Sequence, residues 1–322
     1  MFVYYSIYKK FINNIKKGSL WSKIALGLAI LLIMTIIINA NKPIKEGFTF
    51  EKKFSEKIDD GIYDDFYASV YDDLVYSDFK NEYEIGEIVN RTNPTDESVI
   101  LDLGSGTGHH LNEFKQKGFN CKGIDKSESM VKVSKDKFPD INVKVGDFLQ
   151  SMQFQPGEFT HITCLYFTIY YVKNKSQFFQ NCYNWLKPGG YLILHLVNRD
   201  LFDPVIPAGD PFVIVSPQRF AKQRINTSNV VFNNFTYRSE FDIKSDDVDN
   251  ASVFPNDIKI FREIFKDKQN GNIRQNTHKL FMETQKEILT KARNIGFIEL
   301  ASIDMVKCRY ENQYLYILQK PN

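Results

Sequence analysis

Ser98-Val-Ile-Leu101 runs directly into Asp102-Leu-Gly-Ser-Gly-Thr-Gly108, and this junction constrains the fold more than any other segment. A short buried strand opens into a turn with glycine at every second position. Glycine takes positive φ without a Cβ clash and lets a ligand reach bare backbone. A helix leaving such a turn aims its unpaired N–H groups at that ligand. Strand, glycine turn and helix therefore make a nucleotide-type cofactor site. The dinucleotide fingerprint G-x-G-x-x-G would need glycine at position 109, where His109 stands. A phosphate-cradling G-x-x-x-x-G-K-[ST] run is absent, so a P-loop is unsupported.

Downstream, strand and helix patterns alternate, the signature of a parallel sheet with helices on its faces. Val99–Leu103 reads as the first strand and His110–Lys117 as a helix that Gly118 can end. Asn120–Asp125 is a second strand; Ser127 can cap a helix that Pro139 stops. Residues 141–145, 159–166 and 191–197 give three more strands, with a helix over Ser176–Leu186. Ligands in such sheets lie across the carboxyl ends of the strands. Asp102, Asp125 and Asp147 each fall at such an end. An ionised acid is a double acceptor, so Asp125 can take both hydroxyls of a ribose and Asp147 an adenine amino group. Leu165, Tyr166 and Phe167 offer apolar surface after the fourth strand.

Residues 100–111 resemble motif I of class I S-adenosylmethionine (SAM) dependent methyltransferases. Gly123-Ile-Asp-Lys-Ser-Glu-Ser-Met130 is similar to the motif that follows, Gly146-Asp147-Phe148 to motif II, and Trp185-Leu-Lys-Pro-Gly-Gly-Tyr191 to the stretch before strand five. The resemblance covers about residues 60 to 200. It implies a doubly wound, mainly parallel seven-stranded α/β sheet, with SAM as cofactor, S-adenosylhomocysteine as product and no metal. It also implies that Gly104, Gly106 and Gly108 line the methionine end and that Asp125 holds the ribose. Lys126 and Met130 would flank the adenine, and Asp147 and Phe148 would read its edge.

The acceptor is approached by elimination. Cys164-Leu-Tyr-Phe-Thr-Ile-Tyr-Tyr171 is neither the Asn/Asp-Pro-Pro-Tyr of base amino methyltransferases nor a Pro-Cys nucleophile. The net charge of +2 gives no electrostatic case for nucleic acid. A small-molecule or lipid-like acceptor is expected, methylated on N rather than O. The alternative from another class is a catalytically silent SAM-fold scaffold. Residues 62–74 resemble the amino-terminal Tyr-Asp helix of small-molecule methyltransferases, which makes Tyr63, Tyr67 and Tyr71 candidates to face the reacting groups. Residues 204–282 exceed what the fold needs. Phe232–Asp242, Ile258–Phe265 and Ile273–Met282 alternate like antiparallel strands, with Asn270-Gly271 as a hairpin turn. The whole resembles, loosely, the acceptor-covering insertion of amino-sugar and glycine-type N-methyltransferases. Tyr71, Tyr63 and His278 are the catalytic candidates; Tyr170, Tyr171 and His195 are further possible bases or orienters, and no base is assigned.

The amino terminus carries an uncharged apolar run over Ile24–Ile38, extendable to about 20 residues, enough to span a bilayer. Sequence alone therefore predicts an N-terminal transmembrane helix across residues 20–40, a single-pass membrane protein, and a cytosolic catalytic domain. The abundance of Asn, Lys, Ile and Tyr fits an AT-rich genome such as that of a large DNA virus. The expected organisation is a tail and anchor over 1–45, covering helices over 46–95 and a SAM-binding core over 96–203. The antiparallel acceptor-side insertion follows over 204–282, then a helix and closing strand pair over 283–322. Four cysteines without a C-x-x-C argue against zinc and against a disulfide framework.

Overall fold

A computed structural model describes residues 54–204, 217–242 and 257–322, with isolated positions between 19 and 34. Met1–Gly47 and Phe48–Asn322 are separate units. In the second, β1 (Phe54–Ile58), α1 (Asp65–Val75) and α2 (Asp78–Thr92) lead into β2 (Val99–Leu103) and α3 (His109–Gln116). Then come β3 (Asn120–Asp125), α4 (Glu128–Lys137), β4 (Val143–Val145), β5 (Phe159–Cys164), α5 (Lys175–Trp185) and β6 (Leu186–Val197). Strands β7 (Thr227–Val231), β8 (Phe235–Phe241), β9 (Ile258–Asp267) and β10 (Ile273–Phe281) precede α6 (Gln285–Ile295), β11 (Ile298–Asp304) and β12 (Gln313–Gln319).

The larger sheet has seven strands in the order β11-β12-β6-β5-β2-β3-β4. Strands β2 to β6 pair in parallel, while β12 runs antiparallel to both β6 and β11. Strand β2 and the second half of β6 read as near-continuous apolar runs because both faces are covered there. One face packs Phe178, Phe179, Cys182 and Trp185 of α5 with Ile288, Leu289 and Ala292 of α6. The other packs Ile85 and Ile88 of α2 with Leu111 and Phe114 of α3 and Val131 of α4. Helices on both faces make the sheet doubly wound, and the strand ends carry the loops at one rim.

A second, five-stranded sheet has the order β1-β10-β9-β8-β7. The expected antiparallel meander is there, with Gly271 at φ +72° in the β9–β10 turn. Two strands escaped the sequence reading. Strand β7 pairs antiparallel with β8, and β1 lies parallel to β10, Phe54 opposite Ile273. The amino-terminal strand thus completes a sheet whose other members lie about two hundred residues away in sequence. Arg274 fastens this sheet to α1: its buried guanidinium donates to both oxygens of Asp64 at 2.8 Å and to the carbonyl of Ile62 at 2.8 Å. Asp64 also caps α1 by accepting from the Tyr67 N–H at 3.1 Å.

The transmembrane and single-pass membrane expectation is corrected: among the described residues no helix is long and apolar enough to cross a membrane. Most of residues 20–40, on which that expectation rested, lie outside the described residues, as do 205–216 and 243–256 of the insertion. A long apolar run fixes hydrophobicity, whereas a span also needs a continuous helix of sufficient length.

Candidate active site

The glycine loop folds back on the end of β3. Gly104 and Ser105 donate their amides to the carbonyl of Ile124 at 2.8 and 3.2 Å, and Gly106 donates to Asp125 Oδ2 at 2.8 Å. All three glycines take positive φ, but they meet different neighbours. A Cβ on Gly104 would lie 2.5 Å from Thr168 Cγ2. A Cβ on Gly106 would meet only Tyr71, at 4.0 Å, so open space lies over that backbone. At Gly108 it would collide with Ile141 and Ser134 at 2.7 and 2.9 Å.

Gly104, Gly106, Asp125, Lys126, Met130, Asp147, Phe148 and Tyr166 line one cavity of about 560 Å³. Asp125 Oδ1 accepts from the Ser127 N–H at 2.9 Å, which fixes the carboxyl plane. Burial pushes the Asp125 carboxyl up, against the bonds from the Ser127 and Gly106 amides. Asp147 accepts from the Leu149 N–H at 2.8 Å. Lys126 Nζ sits between Asp60, at 2.5 Å, and Asp147, at 3.9 Å.

Three expected cofactor residues stand outside this cavity. Gly108 packs behind α3 against α4, and its lack of a side chain serves that packing. Asp102 and Leu165 instead line a smaller pocket of about 80 Å³ on the other side of the loop, together with Lys80, Glu84 and His110. Asp102 is buried and accepts from the Thr163 hydroxyl at 2.6 Å. Burial raises its carboxyl to about 6. Glu84 is driven the opposite way: burial would raise it, but the Lys80 ammonium and His110 hold it at about 2. Gly104, Gly106 and Tyr166 line both pockets. Tyr166 pays for that position with φ +52°, a left-handed conformation that a bulky residue keeps only under packing constraint.

The far half of the large cavity is aromatic. Tyr63, Tyr67 and Tyr71 enter it from α1 and the turn before it, Tyr171 from the turn after β5, and Phe261 and His278 from the five-stranded sheet. Tyr63 meets the rings of Tyr67, Tyr171 and His278 with centroids 5.4, 6.0 and 6.3 Å apart. Burial, followed by neighbouring phenols and carboxylates, raises the pKa of Tyr63, Tyr67 and Tyr71, so these phenols are neutral donors. Of the other possible bases, Tyr170 is bound to the Val197 amide at 2.7 Å. His195 is buried outside the large cavity, and burial lowers it to about 3. Sequence reasoning missed Glu263, which is fully buried and accepts from His278 Nε2 at 2.7 Å. The period-two alternation of β9 put it on the inward face, but nothing in the sequence names its partner.

Residues 101–194 match the model of the methyltransferase domain family. Residues 101–194 therefore carry a methyltransferase domain. S-adenosylmethionine is the cofactor of such a domain, and the open backbone at Gly106 beside the Asp125 carboxylate suits its ribose. The chain is 29% identical over 141 residues to a dTDP-4-amino-2,3,4,6-tetradeoxy-D-glucose N,N-dimethyltransferase of Saccharopolyspora spinosa, covering 41% of this chain and 55% of that protein. It is 30% identical over 120 residues to a ubiquinone biosynthesis O-methyltransferase of Rickettsia felis, covering 37% and 49%. The chain thus spans about half the length of these curated relatives. The domain's fold is shared with a SAM-bound amino pentose methyltransferase from Micromonospora echinaspora, at TM-score 0.53 and 17% identity, covering 86% of this chain and 99% of that one.

Proposed function

We propose that the protein moves a methyl group from SAM to the nitrogen of a small-molecule acceptor held between the glycine loop and the five-stranded sheet. One observation carries this reading: a single cavity runs from Gly106, Asp125 and Asp147 to Tyr63, Tyr71, Phe261 and His278. Its volume of about 560 Å³ lies within the range of small-molecule sites. Bound SAM supplies a sulfonium methyl that is already electrophilic, so the protein's part is positioning and exclusion of water.

In this reading Asp125 accepts from the ribose hydroxyls, Asp147 and Phe148 read the adenine edge, and Lys126 and Met130 flank the ring. Gly104 and Gly106 back the methionine end. Asp102 acts from the smaller pocket, through Thr163 and the base of the loop. The described residues of 46–95 and 204–282 cover the cofactor and acceptor sides. Tyr71, as a neutral phenol, orients the acceptor by donating a hydrogen bond, and Tyr63 orients it through the hydroxyl of Tyr171. Nitrogen is favoured because the Saccharopolyspora spinosa relative is named for transfer to an amino sugar.

The test is methyl-labelled SAM incubated with the full chain and, separately, with a cell extract and with the dTDP-linked amino sugar named above. Label recovered on a low-mass metabolite supports the reading. Label confined to protein or nucleic acid overturns it.

A further inference from the structure

The aromatic half of the cavity ends in a buried acid that the methyl-transfer reading does not use. Glu263 lies on β9 with no exposed surface. Its Oε2 accepts from His278 Nε2 at 2.7 Å and from Asn276 Nδ2 at 3.1 Å, and its Oε1 from the Tyr237 hydroxyl at 2.9 Å. On the other side of the imidazole, His278 Nδ1 lies 2.8 Å from the Tyr171 hydroxyl. Tyr171 and His278 both line the cavity. A carboxylate this deep is retained only if its charge is matched by donors, and here the donors are present.

The polarity of the chain follows from the end that has no choice. Burial would raise the Glu263 carboxyl, but His278, together with the hydrogen bonds of Asn276 and Tyr67, holds it below its ordinary value. An ionised carboxylate only accepts, so Nε2 carries a hydrogen. When the ring is neutral Nδ1 is then an acceptor, and the Tyr171 hydroxyl donates to it. The Tyr171 oxygen, which also accepts from the Tyr63 hydroxyl, keeps a lone pair for a further donor. The arrangement is that of a base, oriented by an acid, whose basicity is passed to the cavity by a hydroxyl.

We propose that Tyr171, His278 and Glu263 form a proton relay that unmasks an acceptor amine. The inference rests on the acceptor reading above. An amine presented as ammonium loses a proton as its N–H bond breaks and an O–H bond forms at Tyr171. Tyr171 releases its own hydroxyl proton to His278 Nδ1 in the same motion. The positive charge leaves the substrate nitrogen and ends on an imidazolium paired with the Glu263 carboxylate. No phenolate is formed, which matters because burial pushes the Tyr171 phenol well above its usual range. The nitrogen lone pair is then free to attack. Tyr171 touches the acceptor; His278 and Glu263 act through it and are positioning residues.

The groups facing His278 come from every element around it. Tyr63 and Tyr67 lie at 6.3 and 6.0 Å between ring centroids, from α1 and the turn before it. Tyr171 comes from the turn after β5 at 6.0 Å, and Phe261 from β9 at 5.3 Å. Glu263 is the carboxylate that meets the ring. The Arg274 guanidinium, on the same strand, is committed to Asp64, the Ile62 carbonyl and Asn276. The charge balance at the imidazole is therefore set by Glu263.

The experiment is nitrogen NMR of the full chain with labelled histidine, the His278 signals being assigned by loss in His278→Gln. The expected spectrum of the neutral ring is the tautomer with hydrogen on Nε2 and a bare Nδ1. In Glu263→Gln, which keeps the volume but replaces the acceptor-only carboxylate by an amide that can also donate, the preference for hydrogen on Nε2 should weaken. Tyr171→Phe should keep the tautomer and shift the Nδ1 resonance. Hydrogen on Nδ1 of the neutral ring, an Nδ1 resonance unmoved in Tyr171→Phe, or a tautomer balance unmoved in folded Glu263→Gln would overturn the relay. None of these readouts needs SAM or an acceptor. If the relay signature fails while label still reaches a small molecule, only the relay falls; if the signature stands and no small molecule is methylated, the acceptor reading falls.

Discussion

The Gly106 amide donates to Asp125 Oδ2 at 2.8 Å, tying the middle glycine of the loop to the acid at the end of the neighbouring strand. One contact thus sets both walls of the proposed ribose subsite. It holds the loop open at Gly106, where a Cβ would meet only Tyr71, and fixes one oxygen of a carboxylate that lines the same cavity.

Replacing Asp125 with Ala removes the ribose acceptor and leaves the Gly106 amide unpaired. Hydrogen bonds to charged groups contribute about 1.5–3 kcal/mol each, so S-adenosylhomocysteine should bind at least about tenfold more weakly. Asp125→Asn keeps an acceptor for Gly106 and should fall between the two. Isothermal titration of the three proteins checks the order.

Gly104 and Gly108 should fail in different ways. Gly104→Ala drives a Cβ to 2.5 Å from Thr168 Cγ2 at the cavity wall, so ligand affinity falls, and the second change Thr168→Ser, which deletes that methyl, restores part of it. Gly108→Ala collides with Ile141 and Ser134 behind the loop. Overpacking of that kind costs about 1–3 kcal/mol, read as a lower melting temperature of the protein without ligand.

Asp102 gives a pH signature. Its folded value of about 6 lies above the usual unfolded value of about 3.9, so between these two the native state binds the extra proton. Stability contributed by that proton is complete below about pH 4 and is lost as pH rises through about 6. Asp102→Asn, whose amide oxygen can still accept from Thr163, should therefore raise the melting temperature at pH 7. The advantage should vanish near pH 4, and thermal unfolding at the two pH values decides.

Much of the core was legible because its signals are local. Glycine at 104 and 106 and acids at 125 and 147 each stand at a strand end, and strand ends are marked by apolar runs and turn residues within a few positions. Gly108 lies outside the cavity, because φ > 0 and close packing require the same residue as ligand approach does. Asp102 and Leu165 sit at strand ends too, but on the side of the loop that faces α2. Strand β1 was missed because Phe-Ser-Glu-Lys-Ile has only weak alternation and gains its place by pairing with β10. The Tyr171–His278–Glu263 chain has the same origin: sheet pairing across distant segments assembles it, and no spacing rule in sequence encodes that.

The most direct test of the central claim is titration of the full chain with SAM and with S-adenosylhomocysteine, beside Asp125→Ala. One site per chain with an affinity between about micromolar and millimolar, weakened in the variant, is the expected result. No binding at about 1 mM, or binding that Asp125→Ala leaves unchanged, would contradict it.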